Sequence, residues 1–116
     1  MSGSRLFITL SATAVLATSG ALADANIPKL NVEPSCRAAA KMGDSMNARF
    51  QQCMNDEESA RTQLQQKWSQ FPQRSMPSCI GTAQIGSASY VQLLSCLELS
   101  QEADAIRKSS TTGQGR

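Results

Sequence analysis

"CRAAAKMGDSMNARFQQC", residues 36–53, and "CIGTAQIGSASYVQLLSC", residues 79–96, share one spacing. Each reads cysteine, six residues, glycine, nine residues, cysteine, and together they hold all 4 cysteines of the chain. Fold each stretch at its glycine, Gly43 or Gly86. If both arms are helical, the two sulfurs come to similar heights on an antiparallel hairpin. Pairing Cys53 with Cys79 is harder. A helix over 57–71 would be ~22 Å long at the usual rise per residue, and the segment after Phe71 would have to run almost straight back along it. Pairing Cys53 with Cys96 slides two helices past each other by several turns. Four cysteines allow three pairings, and sequence alone does not choose among them. The hairpin arithmetic favours Cys36–Cys53 and Cys79–Cys96.

The chain opens "MSGSRLFITLSATAVLATSGALA". Arg5 precedes an uncharged apolar stretch from Leu6 to Leu16, and Ala21-Leu22-Ala23 places small residues at a cleavage position. This reads as a secretory signal peptide over 1–23, cut after Ala23. The apolar run is shorter than the ~20 residues of a membrane span and is diluted by Ser and Thr. No stable membrane span is expected after cleavage, and the expected location is periplasmic or secreted. Export into an oxidising compartment makes disulfides the natural state of the four cysteines. Zinc sites bring close ligand pairs such as C-x2-C, and redox dithiols want adjacent cysteines; neither pattern occurs.

Residues 24–116 make one small domain. Its aromatic content is thin: one Trp, one Tyr and three Phe in the whole chain, of which Phe7 belongs to the leader. A small domain with so few large side chains needs covalent staples. Charge excludes one class of partner. There are 11 Lys and Arg against 9 Asp and Glu, scattered without a basic stripe, so nucleic-acid binding is not expected.

Residues 24–34 hold two prolines and no helical period, and read as an extended arm. Pro34-Ser35 can open a helix through "CRAAAKM", which Gly43-Asp44-Ser45 ends and recaps. From Met46, apolar positions recur at Phe50, Cys53, Ala60, Leu64, Trp68 and Phe71, with a gap at Glu57. Asn55-x-x-Glu58 matches a capping box. The segment 44–71 is therefore one helix or two, and 57–71 is its firm part. Pro72 and Pro77 bracket a loop. Residues 79–85 are ambiguous, weakened as a helix by Gly81 and Thr82. Ser89-x-x-Gln92 is a second capping box, opening a helix whose buried face combines Tyr90, Leu93, Leu94 and Leu97 with Cys96, Leu99, Ala103 and Ile106. The end, "SSTTGQGR", is polar and expected to be disordered.

The expected fold is all-α: a small disulfide-stapled bundle of three to four helices behind a signal peptide, with the four-cysteine helical domain over 35–108 and a tail over 109–116. Trp68 is the expected main core anchor, with Phe71, Tyr90, Leu94 and Leu97.

The chain has no histidine, which removes most nucleophilic triads and general-base schemes. No catalytic set, cofactor loop or metal-ligand set is expected. Asp56-Glu57-Glu58 reads as the negative first turn of a helix. Arg107-Lys108 reads as the cationic last turn of another. Met42, Met46 and Met54 read as core filler, with soft-metal capture of copper as the alternative.

A resemblance rests on "CMNDEESARTQLQQKWSQFPQRSMPSC" and "GSASYVQLLSCLEL". Asp56-Glu57, Ala60-Arg61, Leu64, Trp68, Phe71, Arg74, Cys79, Ser89-Tyr90-Val91, Leu93-Leu94 and Cys96-Leu97-Glu98 resemble a group of small exported four-cysteine helical proteins of alphaproteobacteria, over residues 34–106. That group carries no biochemical label. More loosely, Leu64-x3-Trp68-x2-Phe71 between cysteines, then Cys96-Leu97, is similar to periplasmic lysozyme-inhibitor-like proteins.

The reading that follows is a non-enzymatic exported protein that binds another envelope or extracellular protein. A lysozyme-inhibitor-like protein is its sharpest version, and a copper or thiol-redox protein is the rival. Lysozyme-type clefts carry carboxylates, so Arg74, on the Pro-flanked loop, is the candidate partner contact.

Overall fold

The computed structural model describes residues 26–43 and 45–113. The expected signal peptide over 1–23, the start of the arm and residues 114–116 lie outside them. Among the described residues the fold is all-α: α1 (Glu33–Ala40), α2 (Met46–Lys67), α3 (Met76–Gln84) and α4 (Tyr90–Gly113), with 3-10 turns at Trp68–Gln70 and Gln73–Ser75. Disulfides join Cys36 to Cys53 and Cys79 to Cys96. They staple α1 to α2 and α3 to α4, with Cα–Cα distances of 5.4 and 5.6 Å.

α2 is one helix, not two. Its strongest apparent interruption, Glu57, does not break it, and the box at Asn55–Glu58 falls inside the helix. Nor does Ser45 cap it with its side chain. A helix already nucleated extends at little cost per residue, so weak internal stop signals lose to the packing of Ala60 and Leu64 on the core. Phe71 then turns extended, at φ −78° and ψ 149°, ahead of Pro72, as the residue before a proline prefers.

Pro77 does not close a loop; it sits in the first turn of α3, where its missing N–H costs nothing. α3 runs through Gly81 and Thr82, and the Thr82 hydroxyl donates to the Ser78 carbonyl at 3.0 Å. Gly86 follows with φ +75°, the left-handed conformation glycine tolerates. The turn closes when Ser89 N–H donates to the Ala83 carbonyl at 3.2 Å.

The core gathers Ala60, Leu64, Phe71, Met76, Cys79, Ala83, Tyr90, Leu93, Leu94 and Leu97. Leu64, Leu93 and Leu97 are the largest side chains fully out of solvent. Trp68, expected as the main anchor, is only partly buried and packs on the edge of this cluster. It stands in the 3-10 turn at the end of α2, where the chain leaves the helix line.

The described part of the arm, from residue 26, lies against the bundle. Ile27, Leu30 and Val32 pack against the core. Tyr90 ties them down: its hydroxyl donates to the Pro28 carbonyl at 3.0 Å and accepts from Leu30 N–H at 2.9 Å. The helix begins at Glu33, so the arm is two residues shorter than expected.

α4 departs from expectation at both its face and its end. Leu99 and Ile106 are 66% and 59% exposed: at about 100° per residue both stand nearly opposite Leu97, on the side turned away from the core. The polar end, expected to be disordered, continues the helix to Gly113. The hydroxyls of Ser109, Thr111 and Thr112 donate to carbonyls three or four residues back, each at 2.9 Å, so those side chains follow the helix instead of competing with it.

Candidate functional site

The distal half of α4 and the turn before α3 meet in a cleft of about 430 Å³ lined by Arg74, Asp104, Arg107, Lys108, Thr111 and Thr112. Asp104 lies two turns beyond Leu97, on the side of α4 that faces the body. Arg74 reaches it from the Gln73–Ser75 turn and forms an ion pair with its Oδ1. Arg107 Nη2 approaches the same oxygen at 3.2 Å. Two guanidiniums thus share a single carboxylate, and Lys108 lines the same cleft without pairing to it. Two contacts hold α4 in place nearby: Lys67 Nζ to Glu98 Oε1 at 3.4 Å and Gln101 Nε2 to the Gln70 carbonyl at 3.4 Å.

Arg74 is therefore not a projecting finger. Its exposed guanidinium is held at the mouth of a shallow, donor-rich cleft. The Thr111 and Thr112 hydroxyls spend their hydrogens on their own helix. Arg107 and Lys108, expected as a cationic last turn, sit more than one turn before the helix end and contribute to this cleft instead. Sequence reasoning missed the grouping because Arg74 and Asp104 lie 30 residues apart. The one available signal was that Arg107-Lys108 is the only adjacent basic pair.

A second concavity, of about 620 Å³, lies where α1, α2 and the start of α4 meet, and its wall includes Arg49, Cys53, Asp56, Glu57 and Ser89. Glu57 is only 5% exposed, and its chemistry is spent inside the protein. Oε1 accepts from the Ser89 hydroxyl at 2.6 Å, and Oε2 accepts from Tyr90 N–H at 2.6 Å and Val91 N–H at 3.3 Å. The acidic run was expected to complement the dipole of its own helix. It lies mid-helix, and Glu57 serves the positive end of α4 instead. Ser89 caps as its spacing implied, accepting from Gln92 N–H at 3.2 Å.

All four cysteines are oxidised, leaving no free thiol. Among the described residues no group of three His, Cys, Asp or Glu side chains converges on a metal-sized space. Met42 and Met46, expected as core filler, are 80% and 56% exposed around the turn between α1 and α2. No described helix is long and apolar enough to cross a membrane. The chain matches no family model, no curated protein and no solved structure.

Proposed function

We propose that this is a non-enzymatic exported protein, periplasmic or secreted, that binds an acidic surface of another envelope or extracellular protein. The single observation that carries the reading is an exposed cleft in which Arg74 and Arg107 share one carboxylate and Lys108 adds a third cation to the lining. Guanidinium forks recognise carboxylates by geometry as well as by charge, and complementary charge accelerates encounter and selects partners. Export is supported by the Arg5-led apolar start, and two closed disulfides fit an oxidising compartment.

A lysozyme-type enzyme, whose cleft carries carboxylates, is the sharpest case of such a partner. Turnover unchanged at high molar excess of the oxidised protein removes that case. The broader reading is tested with immobilised wild type and Arg74→Glu/Lys108→Glu in parallel, probed with the envelope extract of the producing cell. The expected result is an acidic protein retained by wild type, lost from the variant and released by moderate salt. Equal retention by both proteins would place binding elsewhere on the molecule.

A further inference from the structure

We infer that Asp104 is a resident competitor in this cleft: it occupies the two arginines as a partner's carboxylate would, and binding proceeds by carboxylate exchange. The inference rests on the cleft being the site for an acidic partner.

The contacts are one-sided. A single oxygen, Oδ1, takes both guanidiniums, and each arginine reaches it through one Nη2 atom. An arginine fork offers two parallel N–H donors to a carboxylate, so each fork keeps an unused donor for an incoming group. Lys108 forms no ion pair among the described residues. Three cations against one carboxylate leave two positive charges in excess.

The ligand this fits is a peptide segment with adjacent carboxylates. One carboxylate alone gains little over Asp104, which is already in place. Two neighbouring ones can take both arginines bidentately and reach Lys108. Asp104 opposes that ligand by like-charge repulsion and by holding the two Nη2 atoms. It thereby sets a threshold that excludes isolated carboxylates and admits acidic clusters.

Asp104→Asn keeps size and helical position and removes the charge. At about 4 Å in water, one like-charge contact corresponds to roughly five-fold in affinity. The test measures binding of a fluorescein-labelled hexaglutamate peptide by anisotropy to the oxidised wild type, Asp104→Asn, Arg74→Ala and Arg74→Ala/Asp104→Asn, at two salt concentrations. Circular dichroism confirms equal helix content.

The expected result is binding to wild type, binding roughly five-fold or more tighter to Asp104→Asn, and a much smaller gain from the same change in the Arg74→Ala background. Raised salt should shrink the difference. Equal or weaker binding by Asp104→Asn would overturn the exchange while leaving the cleft as a carboxylate site. Absence of binding by both wild type and Asp104→Asn would overturn both.

Discussion

Glu57, in the middle of α2, caps the first turn of α4: its Oε2 accepts Tyr90 N–H at 2.6 Å while its Oε1 holds the Ser89 hydroxyl at 2.6 Å. A helix start leaves unpaired N–H groups, and a buried carboxylate needs hydrogen bonds to be tolerated. Each solves the other's problem across 33 residues of sequence. Glu57→Ala removes the acceptor from two backbone donors at once. It should cost about 2–3 kcal/mol, since bonds to a charged group carry more than neutral ones. Glu57→Gln should cost less but not nothing, because its NH₂ group cannot accept. Urea denaturation of the oxidised proteins would check this order; a neutral Glu57→Ala would remove Glu57 as the cap.

Tyr90 anchors the N-terminal arm. Tyr90→Phe keeps the ring in the core and removes both hydroxyl contacts to Pro28 and Leu30. About 1 kcal/mol of stability should be lost. The Leu30 amide, which donates to the hydroxyl, should exchange with solvent measurably faster, while amides in the middle of α2 should keep their relative protection. Unchanged exchange at Leu30 would show that the arm does not depend on Tyr90.

Two glycines should respond oppositely to alanine. Gly86 has φ +75° and open space around its Cα, so Gly86→Ala is penalised by backbone conformation alone, at about 1 kcal/mol. Gly81 lies inside α3, also with nothing near a new Cβ. Gly81→Ala should raise stability by up to about 1 kcal/mol through helix propensity. Thermal melts of the two variants would separate conformation from crowding.

Much of this architecture could be read from spacing. The glycine-centred ladders bring sulfurs together because both arms are helical, and the leucines at 93, 94 and 97 mark a face by period alone. What could not be read depends on what lies opposite a residue. Leu99 and Ile106 are the exception: at about 100° per residue they fall nearly opposite Leu97, so their exposure follows from the period itself. Glu57 appeared as an interruption because its partner is another helix's first turn. Arg74 looked unrelated to Arg107-Lys108 because α4's projection, not sequence proximity, brings it to them. Leu97→Ala should therefore cost about 2–5 kcal/mol, whereas Leu99→Ser and Ile106→Ser should change stability by less than about 0.5 kcal/mol. Comparable losses at all three would mean that a partner or second copy covers α4.

The two staples should behave as coupled pairs. Cys36→Ser and Cys53→Ser each open the same bridge, so each should cost about 2–4 kcal/mol and the double variant little more than either. Cys79 and Cys96 should form the second pair. Cys36→Ser/Cys96→Ser opens both bridges and should melt far lower than any single variant, with stray thiols blocked. Melting like a single variant would make those two cysteines partners.

Export and closure of both bridges underlie every role proposed above. Intact-mass measurement of the protein recovered from its producing cell's envelope or medium, after alkylation without reductant, addresses both at once. The expected mass is that of a chain beginning at Asp24 with no alkyl group added, and four groups added after reduction. A full-length chain in the cytoplasm carrying alkylated cysteines before reduction would contradict it.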